Sequence, residues 1–143
     1  MSGLINSAGS KSGVIGTTEL DYEEGTWTPQ QKGSLNAPAS VLGTYTKIGN
    51  KVTVYGSVTF SAQSGSTKAE LQGLPFSSLS SPGITYGATI GSSNINVSDM
   101  TVYLGAGRAF WYFLKNTGSG PSIDVSFADV GGKYVEFSIT YQV

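Results

Sequence analysis

Cysteine and histidine are both absent from the 143 residues. Without thiols there is no disulfide and no thiolate metal site, and nothing to read about redox compartment. Without imidazole the chain lacks the commonest general base and the commonest metal ligand. Charge is scarce as well: Asp, Glu, Lys and Arg make up 12% of the residues, about half the usual share. The net charge of −1 leaves no Lys/Arg cluster to neutralise nucleic-acid phosphates. No apolar run approaches the roughly 18 residues of a membrane-spanning helix. Residues 1–13 lack the apolar centre of a signal peptide. No window places apolar residues at i, i+3, i+4 and i+7 with helix formers between them, so helices are not expected.

These absences bound the function. Nucleic-acid binding and membrane insertion drop out. Catalysis would have to run on nine carboxylates scattered over separate turns and strands. Glu23 and Glu24 are adjacent, and neighbours on a strand point to opposite faces, so they cannot flank one glycosidic bond. Glu70, Asp99, Asp124 and Asp129 are the acids with scope to pair across strands. The expectation is no enzyme and no catalytic residue. Asp129-Val-Gly-Gly offers too few oxygens for Ca²⁺, which takes about six to eight. No metal and no cofactor are expected.

What the chain has in quantity is glycine, 20 residues, with Ser and Thr throughout. That composition suits short strands, many turns and hydroxyl-rich outer faces. The strongest pattern is Gly43–Phe60, GTYTKIGNKVTVYGSVTF, which reads as a β-hairpin about Gly49-Asn50. Val52, Val54, Val58 and Phe60 alternate with Lys51, Thr53, Ser57 and Thr59, the period of a strand with one buried face. A two-residue loop pairs Lys47 with Val52 and Tyr45 with Val54. A three-residue loop would bury Ile48 and Thr46 instead, because a one-residue slip exchanges the faces. The register adopted has Tyr45 inward. Gly56 interrupts the strand where a bulge would suit.

Residues 1–19 are Gly/Ser-rich and read as a flexible lead-in, or as a connector to an upstream shaft through Leu4-Ile5 and Val14-Ile15. Asp21–Pro29 reads as an acidic turn leading to a first strand near Thr26–Thr28, with Trp27 anchoring it to the core. Residues 30–41 read as a loop. Lys68–Gln72 is a short strand with Ala69 and Leu71 on one face, ended by Pro75 in GLPF. Ile84–Ile90 is a strand with Ile84, Tyr86, Ala88 and Ile90 on one side, and Gly91–Asp99 is a loop. Thr101–Leu104 and Arg108–Lys115 form a second hairpin. Ile123, Val125 and Phe127 alternate as a further strand, Asp129–Lys133 is a turn, and Tyr134–Val143 is the last strand. Eight or nine strands at spacings of about 8–12 residues describe an all-β antiparallel sandwich, jelly-roll-like, over residues 20–143.

Arg108–Lys115, RAFWYFLK, departs from the alternation. Ala109, Trp111 and Phe113 lie on one face and Phe110, Tyr112 and Leu114 on the other. A strand covered on one side alternates, so this one meets something on its second face: another chain, another part of this chain, or a ligand.

Three motifs stand in order: LDYEEGTWTP (Leu20–Pro29), the Gly43–Phe60 hairpin, and LQGLPF (Leu71–Phe76). The chain closes with FSITYQV (Phe137–Val143). Together they resemble the C-terminal domain at the ends of bacteriophage tail fibres and tailspikes. The resemblance covers residues 20–143; the loops at 30–42, 77–83, 91–100 and 116–121 match nothing in it. It implies a β-sandwich, a homotrimer, and a place in the virion at the distal, extracellular tip of a fibre. There such domains meet a host-surface glycan or protein receptor, or cap and register the trimer. It implies an upstream fibre shaft or other virion proteins as partners, and the chain is then either a piece of a longer fibre or a free-standing virion protein. No ligand residues carry over from it.

Glycan binding needs aromatic faces for sugar C–H groups, with amide, carboxylate and backbone groups for hydroxyls. The aromatic candidates are Trp111 and Tyr112, if their strand faces outward, with Tyr103 and Tyr55. The loop candidates are Asn94, Asn96, Asp99, Asn116 and Asp124. The plainer reading of each aromatic is core or interface, and of each Asn or Asp, turn chemistry. The interface candidates are Phe110, Tyr112 and Leu114. A structural module without ligand is the alternative: a trimerisation cap, or a small decoration or adaptor protein.

Overall fold

The computed structural model of the protein describes residues 21–32, 37–62, 66–95, 100–116 and 121–143. The lead-in at 1–19 and the candidates Asn96 and Asp99 lie outside them. The described elements are β1 (Tyr22–Thr26), β2 (Gln30–Lys32), β3 (Ser40–Ile48), β4 (Lys51–Thr59), β5 (Glu70–Gln72), β6 (Thr85–Tyr86), β7 (Ala88–Ser93), β8 (Met100–Gly105), β9 (Phe110–Lys115), β10 (Ile123–Asp124), a one-turn helix α1 (Phe127–Val130) and β11 (Tyr134–Gln142). They form an antiparallel sandwich. One sheet runs β1-β3-β4-β11-β7 and the other β2-β5-β9-β8-β6, with β10 also on β9. The chain passes back and forth between the sheets, which gives the jelly-roll-like character.

The hairpin of β3 and β4 has the two-residue loop. Lys47 pairs with Val52 and Tyr45 with Val54. Positive φ falls on Gly49 alone, at 58°, as a II′ hairpin turn requires. Tyr45 packs against the core, edge-on to Phe76 at 5.5 Å, and its hydroxyl donates to the Glu23 carboxylate at 2.6 Å. The carboxylate raises the Tyr45 phenol above its ordinary pKa. An ion pair between Lys47 and Asp21 fastens the start of β1 to the same hairpin.

The core is a run of rings between the sheets. Trp27 meets Phe137 at 6.3 Å, Phe137 meets Trp111 at 4.4 Å, Trp111 meets Phe113 at 5.0 Å and Phe113 meets Phe60 at 5.8 Å. Edge-to-face pairs of this kind add about 0.5–1.5 kcal/mol each beyond the area they bury. Two glycines make the room. Gly43 and Gly56 are cross-strand partners, and Phe137 is paired with Gly56 on its other side. A Cβ on Gly43 would lie 2.5 Å from the Trp27 carbonyl oxygen, and one on Gly56 2.5 Å from the Phe137 ring. The Trp27 indole N–H then donates to the Tyr55 carbonyl at 3.2 Å.

Several expectations change. Gly56 is not a bulge: pairing runs through it without a slip on both sides. The bulge lies in β7 opposite Glu136/Phe137. The acidic run 22–26 is itself a strand, stabilised by pairing with β3 rather than by its own pattern. β2 and the start of β3 fall in the expected 30–41 loop. Gly91–Ser93 belong to β7, and Val125 and Phe127 are not in a strand. Ile84–Ile90 divides at Gly87, with β6 in one sheet and β7 in the other. Asp129 sits in α1, where its carboxylate accepts from the Ser126 N–H at 2.9 Å and the Ser126 hydroxyl at 2.6 Å. Those two bonds lower its pKa. Eleven strands are described because two- and three-residue strands are too short to show a period.

Candidate functional site

The outer face of the five-stranded sheet is built by the residues that alternate with the core. Register aligns them in rows. Thr26, Thr44, Tyr55, Ser138 and Thr89 lie side by side across β1, β3, β4, β11 and β7. Leu42, Ser57 and Glu136 form the next row, ending at the β7 bulge beside Ser92. On the other side Thr46, Thr53 and Thr140 continue the hydroxyls, with Thr53 and Thr140 bonded at 2.9 Å. Four large side chains stand out of this polar face: Tyr22 and Ile48 at its hairpin end, and, at the other, Tyr55, 55% exposed, and Leu42, 66%.

Between Tyr55 and Leu42 lies a hollow of about 360 Å³. Tyr55, Leu42, Glu136 and Phe137 are the larger residues lining it, and small ones, among them Ser57, Ser138, Gly56 and Gly91, lie between them with Thr44 and Thr89. Small residues between tall ones make a concavity on an otherwise flat sheet. The result is an aromatic side chain flanked by hydroxyls and one carboxylate, open to solvent. Chemically it can stack on an apolar ring face and exchange hydrogen bonds with hydroxyls.

The outer face of the six-stranded sheet has a different chemistry. Tyr103 and Tyr112 are cross-strand partners with rings 4.9 Å apart. Lys68 sits 3.6 Å over the Tyr112 ring and pairs with Asp124 at 2.9 Å. Lys32 sits 3.3 Å over Phe110 and pairs with Glu70 at 2.9 Å, with Arg108 on the same ring at 5.0 Å. The second apolar face of Phe110, Tyr112 and Leu114 is thus partly covered by this chain's own cations, whose stems lie on apolar surface while their charge stays in water. Partial burial raises the Tyr112 phenol above its ordinary pKa, and the Lys68 ammonium pulls the other way.

Trp111 does not meet the condition set for it. It is fully buried, facing the core, and its indole N–H has no partner among the described residues. Tyr112, Tyr103 and Asp124 come together on one outer face, while Tyr55 stands on the opposite one. The aromatic candidates therefore do not form a single site. Asn94 is committed to the fold: its side-chain oxygen accepts the Tyr134 N–H at 2.7 Å. Asn116 is exposed at the end of β9. Sequence reasoning missed Leu42, Thr44, Ser57, Glu136 and Ser138. Their signal was present: a large apolar residue and a lone acid on the polar phase of period-two strands.

No protein-family model, no curated protein and no solved structure matches this chain. Residues of the sequence motifs pack against one another: Trp27 on Gly43, Tyr45 on Phe76.

Proposed function

We propose that this chain is a recognition domain of a bacteriophage tail fibre or tailspike: a non-enzymatic virion component, extracellular and homotrimeric, that takes a host-surface glycan in the groove beside Tyr55. The observation that carries this reading is the groove itself. It offers an exposed aromatic side chain, hydroxyls from four strands and a single carboxylate. Sugars present the complementary surfaces, a C–H face and a ring of hydroxyls. The motif resemblance supplies the fibre and the trimer.

A glycan array probed with the purified protein tests it, followed by Tyr55→Ala. Tyr55 lies outside the core, so the variant keeps its fold. Loss of the stacked ring is expected to weaken binding by about tenfold, the equivalent of roughly 1.4 kcal/mol. A protein that binds no glycan and does not compete with virus adsorption to the host would sink the reading.

One observation favours the structural alternative, a trimer cap or small virion decoration or adaptor protein without ligand. The motif residues serve the scaffold, and most do not line the groove. No glycan binding by the wild type is the outcome this alternative expects; binding left unchanged by Tyr55→Ala would instead move the ligand to another site.

A further inference from the structure

We infer that the Tyr55 groove selects its sugar by charge, with Glu136 as the selecting residue: it takes neutral and amino sugars and turns away uronic and other acidic sugars. This deepens the glycan reading above and rests on it.

Seven of the carboxylates lie among the described residues, and six have partners. Asp21, Glu70 and Asp124 are paired with Lys47, Lys32 and Lys68. Glu23 and Glu24 accept from the Tyr45 and Tyr22 hydroxyls, and Asp129 from Ser126. Glu136 alone has neither an ion pair nor a hydrogen bond among the described residues. It is also the acid that lines the groove, and among the described residues no Lys or Arg lines it. The carboxylate therefore keeps its acceptor capacity for a ligand.

Position supports the same role. Glu136 is paired with Ser57, and Tyr55 with Ser138. Tyr55 and Glu136 are diagonal neighbours on one face, about 7–8 Å apart at the backbone. A single sugar ring spans that gap. With the ring on Tyr55, its far edge reaches Glu136. A carboxylate there accepts from two sugar hydroxyls or from an ammonium. It repels a sugar carboxylate. Two like charges about 4–5 Å apart in water repel by an amount equal to roughly a fivefold change in affinity.

The test is an array of neutral oligosaccharides, chitosan oligomers and oligogalacturonates, read with the full chain at low salt and in 1 M salt. Neutral and amino glycans are expected to bind. Acidic ones are expected to bind at least about fivefold more weakly at low salt, with the gap closing in 1 M salt, where screening reaches about 3 Å. Glu136→Gln keeps the shape and is expected to close the gap at low salt as well, while Tyr55→Ala weakens every class. Acidic glycans bound as tightly as neutral ones by the wild type, or a gap unchanged in Glu136→Gln, would overturn charge selection and leave the glycan reading standing. No binding of any class would remove both.

Discussion

Gly56→Ala adds one methyl group at one of the two tightest glycine positions of the core. The new Cβ would lie 2.5 Å from Phe137 Cζ and 3.0–3.1 Å from the two neighbouring ring carbons. Ordinary contact begins near 3.4 Å, so ring and strand must separate by close to 0.9 Å, the difference between 3.4 and 2.5. The ring has little space to retreat into, with Trp111 at 4.4 Å and Trp27 at 6.3 Å. Overpacking of this kind costs about 1–3 kcal/mol. Against it stands a gain of about 0.4–1 kcal/mol, because alanine restricts the unfolded chain more than glycine does. The expected net loss is about 1–2 kcal/mol, measured by urea unfolding with tryptophan fluorescence, since both tryptophans adjoin Phe137. The companion variant Phe137→Leu removes the ring tip. The double variant should then lose less than the sum of the two singles, by about 1 kcal/mol, because each change relieves the other. A Gly56→Ala protein as stable as wild type, or strict additivity in the pair, would refute the ring-slot account of this glycine.

Burial pushes the Tyr141 phenol well above its ordinary pKa, and its hydroxyl donates to the Phe76 carbonyl at 3.0 Å. A raised pKa means the neutral phenol favours the fold. That contribution is complete below the unfolded value of about 10 and is lost as pH rises toward the folded one. Tyr141→Phe should therefore lose about 1 kcal/mol at pH 7 and show a shallower decline above pH ~10; an unchanged alkaline limb in pH-dependent unfolding would contradict this. Phe110→Asp addresses the oligomer. If a second copy lies on the Phe110, Tyr112, Leu114 face, sedimentation should show dissociation with the fold kept. An unchanged trimer would place the seam elsewhere and leave Lys32, Arg108 and Lys68 as the cover of that face among the described residues.

The sandwich was legible because its main strands are long enough to show a period. Val52 to Phe60 and Val135 to Tyr141 alternate over several repeats, and one buried face requires that alternation. The hairpin register was open between two loops, and pairing across β3 and β4 decided it, with Tyr45 opposite Val54 and Ile48 left exposed. Pairing of β1 with β3, the division of Ile84–Ile90 between two sheets and the strand β2 were not legible, and of the strand expected from Ile123 to Phe127 only β10 forms. Two or three residues carry no period, and their pairing is decided by what lies opposite.

The sequence by itself determined the fold class, the absence of thiol and imidazole chemistry, and the residues that alternate inward. It also marked Arg108–Lys115 as a strand with two apolar faces. Only the tertiary structure decided which of those faces is core. That choice buried Trp111 and set Phe110 and Tyr112 beneath Lys32 and Lys68. It also placed Glu136 of β11 beside Tyr55 and Leu42 of the β3–β4 hairpin, which lies far from it in the chain. The reason is physical: alternation is a local property of one strand, whereas a groove on a sheet depends on the register between strands, and register is set by long-range pairing.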